Sequence, residues 1–184
     1  MKFEFFKYDI LQANSKFNFK FGMSEEYVAH LLKGYEYFHS KIFLKYPNKE
    51  EHLEERFTYD ELNKLTLTYF DGVLVAFFIP VSDNTLLFED INLFDNNYKA
   101  TLKKLKKRGY GYFYEKSLIS ESFYVEKLGL DFILFDNKFQ KIRIDSKFYQ
   151  ERSKNDGKYW AKMHTKDNDT VIKYTNIPKE YCDK

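Results

Sequence analysis

Apolar and polar residues alternate along much of this chain, and the alternation gives way to helical spacing near 25–35 and 98–108. Residues 1–22 are rich in Phe at alternating positions. Phe17, Phe19 and Phe21 alternate with Lys16, Asn18 and Lys20, which predicts a half-buried strand closed by Gly22. Ser24 is placed to cap a helix, with Glu25 and Glu26 in the first turn where the helix dipole favours anions. Val28, Leu31, Leu32 and Tyr35 follow at helical spacing, and Gly34 is a stop signal. Tyr37, Phe38, Ile42 and Phe43 then predict a second helix or an irregular aromatic stretch, ended by Pro47. The charged run over 49–56 predicts a solvated loop or a short helix.

The strongest local pattern runs over 65–80. Leu-Thr-Leu-Thr-Tyr-Phe and Val-Leu-Val-Ala-Phe-Phe-Ile-Pro flank Asp71-Gly72, a tight-hairpin signature, because both turn centres need positive φ. Leu65, Leu67 and Tyr69 share one face of the first strand. The second strand is apolar on both faces and is expected to be central, with Pro80 at its end. A further strand is expected over 86–88, and Leu93 and Phe94 anchor a turn. Tyr98, Leu102 and Leu105 mark the apolar face of a helix ending at Gly109, whose other face carries Lys103, Lys104, Lys106, Lys107 and Arg108. A weak strand signal covers 110–114. A second hairpin is expected over 130–144, with Gln140, Ile142 and Ile144 on one face and Lys141 and Arg143 on a wet one. Beyond 145 the chain turns polar, with a short helix expected near 147–154 and an extended piece near 170–174. These elements predict an α+β fold: a mainly antiparallel sheet with hairpins at 65–80 and 130–144, packed against two or three helices. The expected organisation is a single domain over 1–184 that includes a polar C-terminal extension at 145–184.

Composition narrows the function more than the fold. The chain holds 20 Phe, 16 Tyr and 1 Trp but 1 Cys and 4 His, so contact surface is abundant and reactive groups are scarce. The net charge of +2 signals neither a dedicated nucleic-acid binder nor a basic membrane-surface protein. A lone thiol, Cys182, makes no internal disulfide. The start is broken by Glu4, Lys7 and Asp9 and is not a signal peptide, and no apolar run approaches the roughly 20 residues of a membrane span. A cytoplasmic location is expected.

No motif selects a reaction. His30, His39, His52 and His164 lack metal-ligand spacing, no Gly-x-Ser-x-Gly elbow occurs, and Gly109-Tyr110-Gly111 lacks the third glycine of a phosphate loop. Glu26 and His30, one helical turn apart, are read as a surface contact. No catalytic residue, metal or cofactor is therefore assigned. Glu50, Glu51, Glu54 and Glu55 form an acidic cluster that is either solvated surface or a rim steering a basic partner. The helix over 99–108 is either a solvated face or a phosphate-contacting patch, with Tyr110, Tyr112, Phe113 and Tyr114 as stacking platforms for single-stranded nucleic acid. Tyr110, Tyr112, Tyr114, Tyr149 and Tyr159 stand in polar stretches that a core does not require, and are expected at a partner surface.

Four segments carry a resemblance. They are Phe21-Gly22-Met23-Ser24-Glu25-Glu26, Tyr69-Phe70-Asp71-Gly72, Ile91-Asn92-Leu93-Phe94 before the Lys-rich helix, and Lys127-Leu128-Gly129-Leu130-Asp131-Phe132 before the last hairpin. In this order, over about 15–145, they resemble a group of small bacterial α+β proteins that includes immunity proteins of toxin systems. The resemblance implies a non-enzymatic protein that neutralises a cognate toxin by direct complex formation, and it carries over no catalytic residue. The tail after Ile144 and the near-neutral charge depart from that pattern. The partner-binding candidates are Glu50, Glu51, Glu54, Glu55, Tyr110, Tyr112 and Tyr114. The expected partner is a protein toxin, with no membrane and with the oligomeric state open. A nucleic-acid-binding module and an enzyme built on unrecognised carboxylates are the alternatives.

Overall fold

A computed structural model describes residues 1–6, 10–45, 51–82, 84–95, 97–116, 120–136 and 138–151. Strand-forming alternation dominates, and the strands assemble into two sheets. The smaller holds β1 (Lys2–Phe6), β2 (Ile10–Ala13), β3 (Phe17–Lys20), β8 (Thr85–Phe88) and β9 (Ile91–Asn92), in the order β3-β2-β1-β8-β9. The larger holds β4 (Phe38–Lys45), β5 (Glu51–Tyr59), β6 (Leu65–Phe70), β7 (Val73–Pro80), β10 (Phe113–Lys116), β11 (Glu121–Val125), β12 (Leu130–Phe135) and β13 (Lys138–Asp145). Its order is β10-β11-β12-β13-β7-β6-β5-β4. All pairs are antiparallel except β1 with β8, which runs parallel with Phe3 opposite Leu86 and Phe5 opposite Phe88.

Register explains the burial. Phe3, Ala13 and Phe17 lie in one row across the small sheet and Phe5, Leu11 and Phe19 in the next; all six side chains are buried. They face Leu67, Phe77, Ile79, Phe132, Ile142 and Ile144 of the large sheet in one continuous core. The Phe19 and Phe77 rings are 6.4 Å apart, and Phe21 stacks on Phe77 at 4.6 Å. The principal partner of the large sheet is thus a second sheet rather than the expected set of helices, although the antiparallel α+β class and both hairpins are present.

The helices are short. In α1 (Glu25–Leu31) Ser24 Oγ accepts from Tyr27 N at 3.2 Å, and Val28 and Leu32 are buried. In α2 (Tyr98–Lys107) Asn97 caps the N-terminus, and Leu102 and Leu105 are buried. A main-chain seam joins the sheets at the entry to α1: Gly22 N donates to Leu74 O, Leu74 N to Met23 O and Glu25 N to Gly72 O.

Several expectations are corrected. Residues 38–45 form β4, not a helix or an irregular stretch, and the charged run 49–56 is largely β5. Glu54 and Glu55 are buried because each carboxylate meets a cation of the sheet. Residues 2–6 and 10–13, β1 and β2, and 121–125, β11, are strands that the pattern alone did not delimit. The register of β12 and β13 shifts after Ile133, which leaves Gln140 exposed and without a partner on β12, its carbonyl accepting instead from Val81 N at 2.8 Å, and puts Phe139 on the core face against Phe132. Gln140 therefore does not share the buried face of Ile142 and Ile144. The expected wet face at Lys141 and Arg143 is charged but largely closed. A helical turn over 147–151 fits the short helix expected there as far as the described residues go. The extended piece near 170–174 lies outside them.

Candidate functional site

Successive strand residues point to opposite faces, so the acidic segment of β5 is split. Glu54 faces outward from the core. Arg56 Nη2 lies 2.6 Å from Glu54 Oε1, and Tyr149 Oη, from the turn after β13, donates to Glu54 Oε2 at 2.7 Å. Glu55 faces the other way, with Lys41 Nζ at 2.8 Å and His39 Nε2 at 3.1 Å from its Oε1. Each glutamate is 5% exposed. Glu50 and the side chain of Glu51 lie outside the described residues.

Two groups of carboxylates result. Beside Glu55, the Glu25 carboxyl is held above the usual range by partial burial, by the Glu55 charge and by a hydrogen bond to it. Glu55 is held below that range, chiefly by its hydrogen bond from Lys41. The two carboxyls are thus pushed in opposite directions by their shared surroundings.

On the outer face, the buried Asp131 and Asp145 flank the partly buried Arg143. Arg143 Nη2 is 3.5 Å from Asp131 Oδ2, and Arg143 Nε is 3.0 Å from Asp145 Oδ2 without hydrogen-bond alignment. Burial raises Asp145 to about 6 against the opposing pull of Arg143, and raises Asp131 likewise. Burial disfavours the Arg143 cation, but the two aspartates outweigh it and hold the guanidinium charged. Among the described residues, no set of three or more His, Cys, Asp or Glu side chains is arranged to hold a metal ion.

The tyrosine candidates sit elsewhere. β10 closes one edge of the large sheet, with five strands between it and β5. Tyr112, Phe113 and Tyr114 are 38%, 50% and 45% exposed. Tyr114 lies opposite Phe123 and Phe113 opposite Tyr124, so Tyr114 and Phe113 project from opposite faces of the edge. Phe123 is the hub of the inner side: the rings of Tyr98, Tyr112 and Tyr114 lie 5.5, 5.7 and 5.1 Å from it. Tyr114 also hydrogen bonds Glu121, whose carboxylate Lys116 Nζ meets at 3.0 Å. Tyr110 turns inward instead, edge-on to Phe88 at 5.7 Å.

The structure therefore brings Tyr112 and Tyr114 together and does not bring them to Glu54 or Glu55. It adds Phe113, which sequence reasoning assigned to stacking but not to the partner surface. The signal was the run Tyr112-Phe113-Tyr114: three aromatics in succession fill both faces of a strand, and at a sheet edge neither face is closed. Tyr149 expends its hydroxyl on Glu54, and Tyr159 lies outside the described residues. Comparison with family models, with characterised proteins and with solved structures gave no match to this chain.

The basic helix flanks the aromatic edge. Lys104 Nζ lies 3.7 Å from Asp95, and Arg108 bonds Glu89 at 2.9 Å and Asp90 at 2.8 Å. Among the described residues Lys103, Lys106 and Lys107 make no ion pair.

Proposed function

We propose that this is a non-enzymatic binding protein that acts by forming a complex with another protein, and that the partner is a cognate bacterial toxin. The observation that carries the binding role is the exposed aromatic run Tyr112-Phe113-Tyr114, which leads into and begins the terminal strand of the large sheet. Natural sheets protect their edges with charge, proline, bulges or a covering element, and β10 confines its charges, Glu115 and Lys116, to its second half. Large half-buried aromatics are the side chains that interfaces use as anchors. The order of motifs over 15–145, which resembles that of small immunity proteins, is what supports the choice of a toxin.

Co-expression with the product of the neighbouring reading frame tests the proposal. Rescue of growth and co-purification of the two proteins are expected. Phe113→Ala with Tyr114→Ala should weaken the complex about tenfold or more, because buried aromatic anchors each contribute on the order of 1–2 kcal/mol. A harmless neighbour, or a toxic one that this protein neither binds nor restrains, would exclude the toxin reading.

One observation favours a second reading. The uncompensated lysines of α2 beside Tyr112 and Tyr114 also suit a single nucleic-acid strand, with phosphates on lysine and bases on tyrosine. That mode requires affinity for a single-stranded oligonucleotide that falls steeply with salt.

A further inference from the structure

We propose that the free edge of β10 receives an extended, acidic segment of a partner protein as an added strand, with the lysines of α2 holding its carboxylates. This rests on the binding role proposed above and specifies how the contact is made.

The edge is open in the sense that strand addition needs. β10 is the last strand in its sheet and pairs only with β11, in unbroken register from Phe113 to Lys116. Among the described residues no main-chain group of 113–116 bonds anything on the other side. No proline or bulge blocks it. An incoming strand would find main-chain partners and side-chain neighbours at once.

Two-sided exposure separates this occupant from a nucleic-acid strand. Phe113 and Tyr114 project from opposite faces, and each is about half exposed. Bases stacking on a platform would use one face and leave the other bare. An added strand sends alternate side chains to both faces and makes a cross-strand pair with each aromatic.

Charge selects the chemistry of that strand. At 100° per residue, Lys99, Lys103 and Lys106 fall on one stripe of α2, while Lys104 and Arg108 fall on the far flank with Asp95, Glu89 and Asp90. The second flank has its own carboxylates; on the first, among the described residues, Lys103 and Lys106 make no ion pair, while Lys99 stands near Glu121, whose carboxyl is held below its ordinary value chiefly by Lys116 and also by Lys99. The stripe of Lys99, Lys103 and Lys106 is the flank toward β10 and β11, because Lys99 acts on the carboxylate of Glu121 in β11 while Tyr98, on the apolar face, packs on the Phe123 ring that Tyr112 and Tyr114 share. Lys127, whose Nζ donates to Gly109 O at 3.2 Å, adds a cation at the end of α2. The opposite edge, β4, also exposes Phe38 and Ile42, but its Lys41 is already paired with Glu55.

The test uses the full-length, isotope-labelled protein and synthetic peptide probes. An alternating Glu–Val peptide is titrated while backbone amide resonances are followed. Saturable shifts over 113–116 are expected. They should vanish with the same peptide N-methylated at alternate residues, which removes its ladder donors. Lys103→Glu with Lys106→Glu should weaken binding roughly five- to tenfold, as for two exposed ion pairs reversed. Both sites are exposed, and an unchanged spectrum elsewhere checks that the variant is folded. Absence of saturable shifts at 113–116, equal binding of a Lys–Val peptide, or a preference for oligothymidylate would overturn the proposal. The co-expression trial reads separately. If it fails while the Glu–Val peptide still seats on β10, the toxin is lost and the docking mode stands. If the toxin binds without disturbing 113–116, the docking mode is lost and the toxin stands.

Discussion

Gly129 occupies a position that no other residue can fill without strain. Its φ is +64°, and a Cβ built there would lie 2.3 Å from Asp145 O and 2.4 Å from Gln150 Nε2. Gln150 can swing away, but Asp145 O is main chain and accepts the Gln150 amide at 3.0 Å. Gly129→Ala is expected to lower unfolding free energy by about 2–3 kcal/mol, the sum of a left-handed backbone cost and a displaced strand end. Chemical denaturation measures it, and a loss under about 0.5 kcal/mol would contradict the geometry. Asp145 sets a different test. Burial raises its folded pKa from 3.8 to about 6, so the folded state binds this proton more tightly than the unfolded chain does. The contribution is fully present below about pH 4 and is lost as pH rises through about 6. Asp131 acts in the same direction, with Arg143 opposing both. Relative to Asp145→Asn, the parent should lose about 2–3 kcal/mol of stability between pH 4 and pH 7. A difference that stays flat with pH would show that Asp145 is ionised throughout.

At the level of elements, the turn of the β6–β7 hairpin does more than reverse the chain. Asp71 and Gly72 have φ of +49° and +78°, as the dipeptide predicted. Asp71 Oδ1 also accepts from Leu53 N at 2.9 Å, and its Oδ2 lies 2.7 Å from His52 Nδ1. The turn thereby pins β5 to the hairpin. Asp71→Ala should cost about 1 kcal/mol in thermal or chemical unfolding, most of it from the uncapped Leu53 amide, and Asp71→Asn less. What the sequence disclosed divides along this line. Elements whose signals are local were legible: the capping Ser24, the 65–80 hairpin, and the apolar stripe of α2. β5 was not, because its acidic residues look solvated until β4 supplies Lys41 and His39 and the next same-face position of β5 supplies Arg56. The exposed face of Phe113 was not legible either. Exposure there follows from β10 being the last strand, which only the sheet order reveals.

Across the whole molecule, distant segments depend on one another. β1 pairs with β8 across some eighty intervening positions, with Lys2 opposite Thr85, and β1 is the middle strand of its sheet. The β2–β3 hairpin reaches the rest of its sheet through β1 alone. Long-range pairing of this kind makes folding slow relative to helical proteins of similar size. No described helix is long and apolar enough to cross a membrane.

The seam from Gly22 to Glu25 along 72–74 has a consequence for how a partner is met. Main-chain bonds, and not side-chain contacts alone, tie the small sheet to the large one where β3 leads into α1. The sheets cannot slide or swing past each other without breaking them. At this junction an arriving molecule meets two sheets already fastened to each other, which favours capture limited by diffusion and orientation over capture that waits for the sheets to part.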